Sequence, residues 1–457
     1  MTRVQVIHPS ELGPAEIAAW HRMQRATPTM ADPFLAPEYA MTVGRFRPQT
    51  RVGVLSEGPS VIGFFPFEAR RLGTGVPVSG WLSPYQGVIH RPGARWSMSE
   101  LLAGCGLAAW RFDNLIAEQA MRGTFQAAIA TSPVIDLKGG FDTYYAQVRK
   151  RAHRFCREIE RKGRKLGREV GTLRLEHDSR DPDLLSTLID WKSDQYRRTS
   201  AVDRFDHPWI PRLLHALLAT RGDYLSGLLS VLYAGEHPVS MQFGLRAGDI
   251  VVGWFTGYDY SFGKYSPGLL QIPMMAEALS ALGVHTMYMG KGAKHSAQIF
   301  RNHDILVAEG MATSRSPLGT AHRVLNGVNR QALRTMREHP ALHDVADRLL
   351  RITGASSRLY GKVLGGASRG AGSRPGKNRV DHVTGDAAGE GILLARVEAA
   401  EDEQTTFFFP GSHYDLGAVT ERRAWPRCRI ARLSEHRPER LPGKPAEADD
   451  HPHGGRD

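Results

Sequence analysis

Apolar residues recur every second position in some stretches and every third or fourth in others, and the switch between periods orders the chain. "RVGVLSEGPSVIGFFPFEARRLG" (51–73) has β-branched and aromatic residues either side of a Gly/Pro turn, which predicts strand, turn, strand. "MSELLAGCGLAAW" predicts a helix with Ser99 as its N-cap, and "RFDNLIAE" the strand after it. Over residues 141–169, Phe141, Tyr145, Val148, Ala152, Phe155 and Ile159 keep a three-to-four spacing, so an amphipathic helix is expected. Its other face carries ten Arg/Lys between Arg149 and Arg168 against Glu158 and Glu160.

The strand period returns at "GTLRLEH" and is followed by two helical runs, "DPDLLSTLIDWKSDQYRRT" and "PWIPRLLHALLATRG", each opening on an Asp or Pro suited to a first turn. "LSGLLSVLYAGEHPVSMQFGLRAGDIVVGWFTGYD" predicts a three-stranded antiparallel meander. A helix at 268–282, a strand at 285–290, a short helix near 295–302 and the strand "ILVAEGMATS" complete the series. The strand–turn–strand rhythm of the first part returns in the second. The expectation is therefore an α/β (α+β) chain of two related halves, each a mixed, mostly antiparallel sheet flanked by helices. The first half is 1–140, the basic helix 141–169 connects, and the second half is 170–316. Helical spacing continues over 317–365. The Gly/Ser/Arg- and Pro-rich residues 366–457 predict a disordered tail with at most one short strand at "TTFFF".

Composition narrows the partners. Lys+Arg 59 against Asp+Glu 47 gives a net charge of +12, which suits phosphate or carboxylate on a CoA thioester, a nucleic acid or an acidic glycan. Three widely spaced cysteines without a CxxC pair support neither a disulfide framework nor a cysteine zinc site, and no metal is expected. No secretory signal is evident, and the longest nearly apolar run (101–110) is far short of the ~20 residues of a spanning helix. A cytoplasmic protein without a transmembrane segment is expected.

The chemistry concentrates in "GKYSPGLLQIPMMAEALSALGVHTMYMGKG" (263–292). A helix N-terminus directs free N–H groups and a positive dipole end at its loop, so the amides of 264–270 with Lys264 form a candidate anion site. Pro267 and Gly268 would equally start an ordinary core helix. This succession, with the meander and the basic helix before it, resembles the GNAT-fold acyltransferases of the cellulose-biosynthesis (CelD/BcsL-like) type, relatives of the FemAB-like peptidyltransferases. Ser266, Pro267 and Gly268 match the family's loop, and Gly290, Lys291 and Gly292 its Gly-basic-Gly turn. The likeness covers 140–305 well and 1–140 loosely, through "PVSGWLSPYQGVI".

The resemblance implies two GNAT-like halves, with acetyl-CoA or another acyl-CoA held in the second by Lys264, Tyr265, Ser266, Pro267 and Gly268. It also implies N- or O-acyl transfer to a sugar, polysaccharide precursor or peptide. Candidate catalytic residues are Asp259, His295 and Lys291, each of which would also serve as a turn, cap or surface residue. Trp191, Gln195 and Gln242 are candidates for the acceptor site. The family's Q/R-x-x-G-x-G/A loop is absent. Tyr288 stands where an aspartate is frequent, and Ser296 and Ala297 replace a tyrosine–lysine pair. Two alternatives stay open: an aminoacyl-tRNA-dependent peptidyltransferase, the only reading that brings in a nucleic acid, and a catalytically silent binding protein.

Overall fold

A computed structural model describes residues 2–326 except 122–125, 200, 292 and 294. The expected helices beyond 326, the tail and its "TTFFF" strand lie outside the described residues. The first half runs β1 (Thr2–Ile7), α1 (Pro14–Ala26), α2 (Pro37–Phe46), β2 (Thr50–Glu57), β3 (Ser60–Ala69), β4 (Thr74–Val76), β5 (Ile89–His90), α3 (Met98–Gly104), β6 (Ala109–Ile116), α4 (Ala117–Met121) and β7 (Gln126–Asp136). The long helix α5 (Gly140–Glu169) follows. The second half runs β8 (Leu173–Ser179), α6 (Pro182–Arg198), α7 (Trp209–Ala219), β9 (Ser226–Ala234), β10 (His237–Ala247), β11 (Ile250–Tyr258), α8 (Pro267–Ala281), β12 (Thr286–Tyr288), α9 (His295–Gln298) and β13 (His303–Thr313). Periodicity did not single out α1, which packs on β3 and β5, or α2, which packs on β2 and on α7 of the second half. The N-cap of α3 is Ser97, whose side chain accepts from the Glu100 amide, and not Ser99.

All strands join one mixed, mostly antiparallel sheet, ordered β1-β2-β3-β4-β6-β13-β7-β12-β11-β10-β9-β8, with β5 on β3. The centre of this order is an exchange. β13, the last strand of the chain's second half, lies between β6 and β7, and β7 pairs with β12. The two expected sheets are therefore continuous. Parting the halves would expose the N–H and C=O groups of these central ladders to no partner, which makes hinge-like separation costly.

Helices cover both faces of the second half. On one face α5 and α8 bury Tyr144, Leu166, Leu270 and Met275 against Leu232 and Val251. α8 is apolar all round, as a helix enclosed on all sides must be. On the other face α2, α6 and α7 pack Tyr39, Leu188 and Leu213 on Met241, Phe243 and Val252. The start of β9 touches the end of α7 so closely that a Cβ at Gly227 would overlap the Leu217 carbonyl oxygen. Gly227→Ala is expected to cost ~1–3 kcal/mol in urea unfolding; an unchanged midpoint would show that this joint yields freely. Among the described residues no helix is long and apolar enough to cross a membrane.

Candidate active site

β11 and β12 lie parallel and pair only over Ile250–Val252 with Thr286–Tyr288. β11 then continues to Tyr258 while β12 stops, so the sheet opens into a V after Val252 and Tyr288. Gly253 lies at its apex. A Cβ there would overlap the Gln242 amide nitrogen and stand 3.6 Å from the Tyr288 carbonyl, so glycine is what allows Gln242 to lie across β11.

α8 packs on the face that carries Ser240 of β10, whose hydroxyl donates to Gln271 of α8 at 2.6 Å. Ser266, its N-cap, takes a left-handed φ of 56°, uncommon for a residue with a Cβ. Its carbonyl accepts the Leu269 and Leu270 amides at 3.0 and 3.1 Å. Pro267 has no N–H, so Gly268 carries the first-turn amide with no backbone acceptor among the described residues. The cation at this helix start is Lys162 of α5, which donates to Ser266 Oγ at 2.9 Å. Tyr265 is turned away, donating to Glu169 at 2.5 Å, and Lys264 lies 3.8 Å from the same carboxylate. The Tyr265 hydroxyl, then Lys165 and Lys264, hold Glu169 below its ordinary pKa.

The opposite side of the V is walled by the first half. Asp32 caps the single turn Pro33–Leu35: its Oδ1 accepts from the Phe34 amide at 2.8 Å. The residue is 2% exposed, and Oδ2 is buried with no hydrogen-bond partner among the described residues. Burial pushes the carboxyl up to about 7, with the Phe34 amide opposing. Phe34 meets Trp254 of β11 edge-on at 4.9 Å, and Tyr85 stacks on Tyr288 at 5.8 Å. Burial, and to a lesser degree the Asp32 charge, raises both phenols, so they remain hydrogen-bond donors at neutral pH.

The other expected residues are held in place by neighbours. Asp259 caps the turn 260–265, accepting from the Ser261 amide and hydroxyl at 2.8 and 2.7 Å. Lys291 bridges β6 and β13, donating to the Asp113 carbonyl at 2.8 Å and to Glu309 at 3.1 Å. His295 opens α9, and Gly292 lies outside the described residues. Trp191 is half-buried where α6 crosses Gly257 of β11. Gln195 accepts from Lys192 at 3.1 Å. Gln242 and the start of α8 therefore meet the V, and Asp259 and Lys291 are engaged elsewhere. Asp32, Tyr85 and Lys162 were not singled out from the sequence. Lys162 had a legible signal: it continues the stripe Phe155–Ile159 to Leu166, a cation where the period calls for an apolar side chain. Asp32 before Pro33 reads as a cap; only its burial is new.

Residues 153–296 match the family described as "Acetyltransferase (GNAT) domain". The match reaches that domain and stops short of the cellulose-biosynthesis type. No curated protein matches the chain. Among solved structures, the chain is similar to the C-terminal domain (DUF2156) of an Agrobacterium fabrum protein, at 13% identity over 68% of this chain and 96% of that one, TM-score 0.40. FemX is similar at 11% identity over 57% and 87%, TM-score 0.38. A tandem GNAT protein from the clavulanic acid biosynthesis pathway is similar at 12% identity over 68% and 98%, TM-score 0.37.

Proposed function

We propose that this chain is an acyl-CoA-dependent acyltransferase whose donor enters the V between β11 and β12 and whose acceptor approaches from the Asp32 side. The carrying observation is the opening of the sheet after Val252 and Tyr288, with the α8 N-terminus on one face and an unpartnered buried carboxylate oxygen on the other. The GNAT match over 153–296 supports the same reaction class. When bound, an acyl-CoA supplies a carbonyl activated as a thioester. Gly268 N–H and Lys162 are the groups placed to meet its phosphates. The acceptor is an amine or hydroxyl of a sugar, polysaccharide precursor or peptide.

The chain's own work is orientation and proton handling. As the acceptor's N or O bonds to the acyl carbon and the C–S bond breaks, Asp32 Oδ2 takes the proton the acceptor loses. The leaving sulfur takes a proton from the Tyr288 hydroxyl, and the proton gained by Asp32 passes back to restore the phenol, which its surroundings keep protonated, so no net proton is gained or lost. Gln242 orients the acyl end from β10.

Calorimetry with acetyl-CoA and longer acyl-CoAs, followed by thiol release with aminosugars and peptides as acceptors, tests this reading. Gly268→Asp places a negative charge at the helix start and is expected to weaken donor binding by ~10-fold or more. Absence of acyl-CoA binding to the unaltered chain would overturn the assignment.

A further inference from the structure

A cavity of about 840 Å³ opens in the first half, and none of the side chains assigned to donor or acceptor lines it. That volume lies within the ~300–1,000 Å³ of pockets for small organic molecules. Met311 and Thr313 of β13 line it, as do Ile116 and Glu118 where β6 passes into α4. Thr313 pairs with Ala109, whereas Ile116 pairs with Val307. Wall residues thus lie at opposite ends of β6, roughly 23 Å apart at ~3.3 Å per residue.

The two ends differ in chemistry. Beyond β13 stand Arg315 and Arg323; Arg323 holds Thr313 Oγ1 through Nε at 3.2 Å and Nη2 at 2.9 Å. Arg315 is exposed and has no ion pair or hydrogen bond among the described residues. Met30, Trp96, Met98 and Ile116 supply apolar parts of a wall that also carries Thr27, Thr29, Ser97 and Ser99, with the Trp96 ring 5.6 Å from His90. At the far end the Gln119 amide is spent on Val88, at 2.8 and 2.7 Å, and Glu118 presents a carboxylate.

We propose that this cavity binds an elongated amphipathic anion, a carboxylate or phosphate monoester on an apolar or aromatic body, with its acid group at Arg315 and Arg323. Glu118 repels an acid group at the other end, which sets the ligand's direction. Trp96 and the methionines take the body, methionine adapting its shape to irregular apolar groups. The site is separate from the V, so the protein would hold this anion with or without an acyl donor.

Titration calorimetry of the full chain with decanoate, decyl phosphate and decyltrimethylammonium, each below its micelle-forming concentration, tests the proposal. One or both anions are expected to bind and the cation is not. Arg315→Glu combined with Arg323→Gln should weaken anion binding ~10- to 100-fold, the range for losing charge-assisted hydrogen bonds. Met311→Trp should abolish it by filling the wall. Arg315→Glu alone, at an exposed position, carries the test if Met311→Trp fails to fold. Binding of neither anion, equal binding of the cation, or anion affinity unchanged by Arg315→Glu and Arg323→Gln would overturn it.

Discussion

Asp32→Asn is expected to lower kcat for acyl transfer by ~10²–10⁴-fold and, in the same protein, to raise thermal stability at alkaline pH. Both effects come from one buried carboxyl. Burial lifts its pKa from 3.8 to about 7, so near neutrality half of it is ionised and poised to accept a proton. Below pH 7 the carboxyl is occupied by its own proton, and the rate should fall as the solution is acidified. The Asp32→Asn variant should lose that acid limb along with most of its turnover. Asparagine keeps an oxygen for the Phe34 amide, so the cap on the turn Pro33–Leu35 survives.

The stability effect has the opposite sign. A carboxyl whose folded pKa is raised stabilises the fold fully below its unfolded pKa, near 4, and this contribution is lost as the pH rises through 7. Parent and variant should therefore melt alike near pH 4, and the variant should melt higher above pH 7. The gap is at most ~4 kcal/mol, each tenfold in proton affinity being worth ~1.4 kcal/mol. Activity lost while stability is gained is the mark of a group retained for chemistry. Unchanged kcat would remove Asp32 from the reaction, whereas unchanged melting above pH 7 would mean that the carboxyl is solvated.

Glu68→Ala is expected to destabilise the protein by ~3–5 kcal/mol, the range for breaking a buried ion-pair cluster from one side. Glu68 has 0% side-chain exposure and is held by Arg47 at 3.0 Å, Arg70 at 2.8 Å and Gln49 at 3.2 Å. Its other oxygen accepts the Ser79 amide at 2.9 Å. Ser79 has a left-handed φ of 61°, a conformation that needs external support, and its hydroxyl meets Tyr39 at 2.6 Å. The loop it anchors presents the Leu82 carbonyl to Trp254 at 2.8 Å and leads to Tyr85. Removing the carboxylate leaves two guanidinium groups without it and releases the wall of the V. Urea unfolding should rank Glu68→Ala below Glu68→Gln, which keeps an acceptor for Ser79. A loss under ~1 kcal/mol for Glu68→Ala would place the cluster among exposed ion pairs.

Much of the second half was legible locally. The meander β9–β11 follows from its strand period and Gly turns, and α8 from Pro267 through its apolar run. The helix over α5 was legible as well, although its backbone departs from helical geometry at Ala152, with φ −134° and ψ 45°. Asp259, weighed as both base and cap, takes part in a cap because a neighbouring amide and hydroxyl lie two residues away. α1 and α2 were missed: α1 carries a weak apolar stripe, and its buried Trp20 and Met23 find their neighbours in other elements.

Periods, turns and caps involve residues a few positions apart, and for these the sequence alone determined a mixed α/β chain, its meander and the helix that starts at Pro267. Three features were decided only by tertiary structure. β13 entered between β6 and β7 because its pairing partners, such as Ala109 for Thr313, are distant in the chain. Lys162 met Ser266 across the α5–α8 packing. Asp32 lost its solvent, and so gained a pKa near neutrality, when the first half closed over the end of β12. Desolvation depends on everything that surrounds a group, and no window of neighbouring residues contains it.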